Sequence, residues 1–453
     1  MKQHLPTAAT LFCATGLILL PALYNGFPLV YSDTGTYLRS AFMDYVPPDR
    51  PYWYGGFIRL TSLGGWSLWG PVVMQALLCA LLLWALWRRF GSGARVPFLI
   101  TVGVLAWCTG LGWYASQLVP DIFTALGAMA GLLLIAGRLG LLAKCALALL
   151  LFFACWVHLS NVAIMPLVLL VSAIAAHRAG IRIPWSRAIP MAGLLITAWP
   201  LSRIAVSNLI GQEDKAGYTH VFLMGRLAET GILEAWLDTY CDTEHYGICA
   251  HRDSLPTTSR EFLWSDRSPL IWQGGQEAVR KEYQAILLGT LTDPRYLALH
   301  AGASLQGLLG NLAITRVGDE LENSWYRDPG SPPHYMIAEN VPAHLPAFRA
   351  ARQNTGDGRL GLHVVDRIHP WILILSCAGW IVLLSPWGRG RRGEHGLVLL
   401  VFGMAAVVIA AWVCGTLSTV DTRFMARTAW LLPWCVAVVS SRHPDPSADR
   451  KDR

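Results

Sequence analysis

Long apolar runs alternate with short polar connections along this chain, and that alternation sets the architecture before any single residue does. The runs lie near 8–30, 66–87, 96–115, 122–137, 141–157, 162–176, 188–207, 368–387, 397–416 and 424–440. Several approach or exceed the ~20 apolar residues that cross a hydrocarbon core of about 30 Å. The pattern predicts an all-α polytopic membrane protein of about ten transmembrane helices. No alternating ten-residue pattern of the outer-membrane barrel kind is present. The first run, with Lys2 before it, has the basic start and apolar core of a signal peptide. Its length and the polar turn after it favour a retained helix.

The connections carry the orientation. Arg88, Arg89 and Arg95 fall in the second, Arg138 and Lys144 in the fourth, Arg178, Arg182 and Arg187 in the sixth, and Arg389, Arg391 and Arg392 in the eighth. Arg442, Arg450, Lys451 and Arg453 fill the tail, whereas the connections at 116–121, 158–161 and 417–422 hold no Lys or Arg. With ten spans all these cations lie on one side, so both termini are expected in the cytoplasm. The predicted organisation is a seven-span bundle over 1–207 with its first external loop at 31–65, an external (periplasmic) soluble domain over 208–366, three spans over 367–441 and a cytoplasmic tail at 442–453. Within 208–366, helical periodicity runs through Val221–Tyr240 and Glu277–Thr292. The Pro294–Leu309 stretch is apolar enough to pack on the bundle or lie in the membrane interface. Turn-rich pieces at 328–333 and 354–358 separate these elements, and the domain reads as mostly helical.

Composition agrees with the pattern. The chain is 54% hydrophobic and 14% charged, against about 25% charged in soluble proteins, and its mean hydropathy is +0.41. Its net charge of +7 is accounted for by the one-sided basic loops, so nucleic acid is excluded as a partner and membrane lipid is expected. The 31 Arg against 5 Lys hint at a GC-rich bacterial genome, hence a multi-pass protein of the bacterial inner membrane. Eight of the ten cysteines fall inside apolar runs, where buried thiols behave as small apolar side chains. Cys241 and Cys249 lie in the external region at a spacing that suits a disulfide in an oxidising compartment; His245 and His251 are close by, but a metal site is not favoured.

Ionisable groups near membrane depth are expensive and are candidates for function by default. In this chain they gather at the external ends of the runs. Asp33 follows the first, Asp121 opens the fourth, His158 and Asn161 stand between the fifth and sixth, and Asp421, Arg423 and Arg427 open the tenth. Asp33 and Asp121 also read as helix N-caps, and His158 as a hydrogen-bonded interface histidine. Arg423 and Arg427 are one helical turn apart and present their guanidinium groups on one face, which suits an anion or a carboxylate partner. Tyr52, Trp53, Tyr54, Trp66 and Trp69 read mainly as an interface belt; stacking on a sugar is the alternative. Gly55-Gly56 and Gly64-Gly65 lack the strand–turn–helix setting of a phosphate loop. No Ser-His-Asp, zinc or Cys-X-X-Cys signature is present.

The order of an apolar helix, Ser32-Asp33-Thr-Gly-Thr-Tyr37, Arg50-Pro-Tyr-Trp-Tyr54 and a run containing Pro71 and Gln75 resembles the GT-C superfamily of polyprenyl-phosphate-sugar glycosyltransferases. The Val119-Pro-Asp121 turn, His158 and the Asp421-Thr-Arg423-Phe424 entry to a late span are similar to further features of that superfamily. The resemblance covers about the first 165 residues and the last spans. Where protein mannosyltransferases carry an Asp-Glu pair in the first external loop, this chain has a single Asp, and the resemblance does not extend to the external domain. The resemblance implies a lipid-linked sugar as donor and a glycan, lipid or protein as acceptor. It implies Asp33 as general base, with Asp121 and His158 as further catalytic residues, and Tyr37, Arg50, Tyr52, Asn161, Asp421, Arg423 and Arg427 as substrate-binding residues. It fixes no cofactor, though a divalent metal is compatible. Two other classes stay open: a lipid or solute transporter, which would carry charges at mid-span and broken helices, and a non-catalytic membrane assembly protein of GT-C-like fold.

Overall fold

The computed structural model describes residues 4–137, 139–212, 219–355 and 360–442. Lys2, Arg138, part of the 354–358 turn, and Arg450, Lys451 and Arg453 of the tail lie outside the described residues. Among the described residues every regular element is a helix, and the only strand-like pairing is an isolated parallel bridge between Leu29 and Gln117. Five helices are long and apolar enough to cross a membrane: Trp69–Phe90, Asn161–Arg178, Trp185–Ile210, Leu362–Leu384 and Arg392–Leu417. Thr7–Ile18, Arg95–Cys108, Ile122–Ala136 and Leu141–Val157 are apolar but shorter.

The remaining differences from the apolar pattern have local causes. The 8–30 run divides into the helices His4–Ile18 and Leu20–Asn25, the second ending on left-handed Gly26. The 96–115 run divides at Thr109, whose extended backbone ends one helix and whose hydroxyl caps Gly110–Ala115. The 424–440 run becomes Thr422–Ala429 and Leu431–Ser440. Pro433, with no N–H to give the carbonyl of Ala429, sits just inside the second piece.

Two hydrophobic cores organise the chain. The large one joins the apolar helices to residues between Val317 and Val365. The small one is built from residues between Val221 and Tyr296, and the Cys241–Cys249 disulfide lies at its edge. The 208–366 stretch is therefore divided: its first part has a core of its own, and its last part is packed onto the bundle. Pro332–Asn340 lies against Thr34–Met43 so closely that a Cβ on Gly35 would collide with Pro332. The apolar Pro294–Ala313 helix packs on the end of Arg392–Leu417, where Asn311 Nδ2 donates to the carbonyl of Ala411 at 3.0 Å and Ser304 meets Thr416 at 2.8 Å.

Candidate functional site

The polar residues scattered along the sequence meet at one end of the bundle because several turns are locked together there. Leu29 and Leu118 exchange backbone bonds with the opposite turn: Leu29 N–H donates to Ser116 O, and Leu118 N–H to Leu29 O, each at 2.9 Å. Gln75, buried within an apolar helix, donates to the carbonyls of Ala115 at 3.0 Å and Gln117 at 2.9 Å, while its own oxygen accepts from the Tyr54 hydroxyl at 2.7 Å. Gln353 behaves like a short piece of strand. Its amide accepts from Val30 N–H at 3.0 Å and donates to the carbonyls of Val30 at 2.8 Å and Leu321 at 2.9 Å. The Gln75 and Gln353 side chains satisfy backbone groups that burial would otherwise leave unpaired, and so help to fix the turns that carry Asp33 and Asp121.

Asp33 stands at the N-cap position of Thr34–Met43 and Asp121 at that of Ile122–Ala136, yet neither carboxylate makes a capping bond. Both face guanidinium groups instead. Asp33 Oδ1 meets Arg50 at 2.7 Å and Oδ2 meets Arg423 at 2.9 Å. Asp121 Oδ1 meets Arg427 at 3.1 Å and Arg423 Nε at 3.6 Å. Arg423 therefore bridges the two carboxylates, while Arg50 also holds Asp49 at 2.6 Å. Arg427 is completely buried and donates further to His158 Nε2 at 2.8 Å, Ser160 Oγ at 3.2 Å and Cys414 Sγ at 3.1 Å. Because a guanidinium can only donate, His158 Nε2 is an acceptor, which leaves the proton on Nδ1 facing Ser160 Oγ at 2.9 Å. Asp421 is a true N-cap: its Oδ1 accepts from Arg423 N–H at 3.0 Å and so orients the helix bearing both arginines.

Charge and burial act differently on each group. Burial alone would raise the Asp33 carboxyl, but Arg50 and Arg423 outweigh it and hold the group well below the usual carboxylate range. Asp121 is likewise lowered, Arg423 and Arg427 overcoming its burial. For Asp421 burial wins over Arg423 and the carboxyl is raised. His158 is pushed down to about 3, by burial first and by Arg427 next, so it is neutral at ordinary pH.

The cluster thus unites Asp33, Arg50, Asp121, His158, Arg423 and Arg427, with Asp421 at its edge. Tyr37 flanks it, its buried ring 5.6 Å from the Arg50 guanidinium and set edge-on to Tyr54 at 5.0 Å. Asn161 is adjacent but engaged elsewhere, accepting from Thr124 at 2.9 Å and donating to Ala154 O at 2.8 Å. Tyr52 is not part of it: its hydroxyl bonds Asp44 at 3.4 Å and its ring packs with Val46 and Val206. Among the described residues no group of three or more His, Cys, Asp or Glu forms a metal-type cluster.

Beside the cluster a cavity of about 280 Å³ opens toward solvent. Arg423 and Asp421 line it together with Tyr31, Tyr114, Arg260 and Glu320. Asp33, Asp121 and His158 lie behind this wall, although the Asp33 side chain keeps 18% of its surface. Gln353, Arg260 and Glu320 carry no signal in sequence, since isolated polar residues in a polar stretch look like solvated surface. Gln75 does carry one, being a polar amide in the middle of an apolar run. Comparison of the chain with protein-family models, with curated proteins and with solved structures finds no match.

Proposed function

We propose that this chain is a membrane glycosyltransferase that moves a sugar from a polyprenyl-phosphate donor to an acceptor at the external face of a bacterial inner membrane, with Asp33 as general base. The reading takes the ten apolar runs as ten spans with both termini cytoplasmic, which puts the cluster at the outer mouth. The observation that carries it is the position of Arg423, one nitrogen on Asp33 and the guanidinium also lining the open cavity. A donor phosphate entering beside Arg423 competes with Asp33 for that guanidinium. As Arg423 turns to the phosphate, Asp33 loses a neighbouring cation and becomes more basic. It then takes the proton of the acceptor hydroxyl while that oxygen attacks the anomeric carbon. The bond from the anomeric carbon to the phosphate oxygen breaks, and the polyprenyl phosphate leaves with the electron pair, its charge met by Arg423. Arg427, completely buried, and His158, partly buried, act as positioning residues through Asp121.

The test is transfer of a labelled hexose from a polyprenyl-phosphate donor by the full-length protein in nanodiscs. Asp33→Asn, which keeps the shape of the side chain, is expected to elute as wild type on size exclusion and to lose about 10²–10⁴-fold in rate. An unchanged rate overturns the reading. One observation favours a second reading, a non-catalytic assembly protein: both Asp33 oxygens are already engaged by guanidinium groups. In that case wild type transfers nothing, and Asp33→Asn alters only the thermal midpoint.

A further inference from the structure

The lining of the open cavity is balanced in charge. Arg260 and Arg423 line it together with Glu320 and Asp421, and the phenols of Tyr31 and Tyr114 belong to the same lining. The two halves of this wall come from distant parts of the chain. Asp421 and Arg423 belong to the turn that starts Thr422–Ala429. Arg260 stands on the short helix Ser259–Trp264, in the part of the molecule with its own core, and pairs with Glu320 and, at 3.5 Å, with Asp421. Arg423 lies over the Tyr31 ring, 5.1 Å from its centroid.

The Arg260 side of this wall suits a free anion poorly, because Arg260 is already paired with Glu320 and Asp421; the donor phosphate is left to Arg423. A neutral polyhydroxylated ring suits it well. The carboxylates accept from ring hydroxyls, the guanidinium groups donate to them, and paired charges need not separate for either to happen. The size agrees, since about 280 Å³ sits at the small end of ligand pockets, which run from about 300 to 1,000 Å³. We propose that this cavity binds a neutral monosaccharide unit, with Arg260 and Glu320 as its specificity-determining residues opposite Asp421 and Arg423. This rests on the glycosyltransferase reading and assigns the sugar subsite of that same centre.

The experiment uses saturation-transfer NMR on the full-length protein in nanodiscs, with glucose, mannose, galactose and N-acetylglucosamine as neutral probes and inorganic phosphate as the anionic competitor. At least one hexose is expected to bind, its affinity falling at least fivefold in Glu320→Gln and in Arg260→Gln, with phosphate failing to displace it. Arg260 is largely exposed, so its replacement is expected to leave the thermal midpoint near wild type. The proposal is overturned if none of the four hexoses binds, if both variants bind as wild type does, or if phosphate displaces the sugar. The transfer assay separates the two claims. Hexose binding without Asp33-dependent transfer sinks the enzyme and leaves the sugar site. Asp33-dependent transfer with hexose binding indifferent to both variants sinks the sugar site alone.

Discussion

Arg427 shows most clearly how charge is used in this molecule. Its side chain is fully buried and its contacts are Asp121, His158, Ser160 and Cys414. Removing one partner of a buried ion pair leaves the other charge uncompensated, at a cost of about 3–5 kcal/mol. Arg427→Met is therefore expected to lower stability by roughly that amount, and adding Asp121→Asn to recover a large part of it. Chemical denaturation of the two single variants and the double variant measures the coupling; additive losses would contradict the pairing. His158 gives a separate, pH-dependent signature. The unfolded chain takes up this proton near about 6.5, while the folded chain resists it down to about 3. Between these values the unfolded state binds more protons, so the stability is complete above about 6.5 and is lost as the pH falls. Asp33 and Asp121 do not contribute in the upper part of that window, because the reference value of an aspartate is about 3.9. Wild-type thermal midpoints should fall between pH 7 and pH 5, and His158→Gln should make that slope shallower, with His220, His300 and His334, also lowered by burial, supplying the remainder; an equal slope in both would remove the assignment.

Among the elements, Thr422–Ala429 owes its position to a close approach. A Cβ on Gly110 would collide with the carbonyl of Ala426, so only glycine lets the start of Gly110–Ala115 touch the helix that carries Arg423 and Arg427. Overpacking of a tight contact costs about 1–3 kcal/mol. Gly110→Ala is expected to lose stability in that range, and transfer activity with it, because the arginines shift relative to Asp121. Gly140→Ala, where nothing lies within 4 Å of the added carbon, is the control and should change neither. The same scale explains what sequence could and could not reveal. Asp33, Asp121, His158 and Arg423 were legible as a group because each follows or precedes an apolar run, and a membrane sorts run ends into two planes. Their pairing was not legible, since it depends on Gln75, Gln353 and Gly110, whose roles come from contacts distant in the chain, 40 and 42 residues away for Gln75 and 323 for Gln353. Tyr52 lies two residues from Arg50, but its hydroxyl turns to Asp44 rather than to the cluster.

At the scale of the whole molecule, the bundle and the region after it are less separate than composition suggests. The abrupt change to polar residues near 208 precedes a separate core, but the chain returns to the first one before the last helices. Residues from Val317 to Val365 pack into the same hydrophobic cluster as the membrane helices, whereas only Val221 to Tyr296 form a core apart. Periodicity reports which face of a helix is apolar and is silent on which neighbour covers it, so this division was hidden in the sequence. It bears on the sugar site, because Arg260 is carried by the separate part while Glu320 follows the helix that leads back to the bundle. The proposed function requires this cavity to lie outside, and so an even number of crossings with both termini in the cytoplasm. A green fluorescent protein fused after residue 453 should fluoresce, as it does only when left in the cytoplasm. Exposed Asp266, replaced by cysteine, should react with an impermeant maleimide in right-side-out vesicles above the wild-type background. Fluorescence without that labelling would place the cavity on the cytoplasmic face, where a polyprenyl-phosphate donor presented from outside could not reach Arg423.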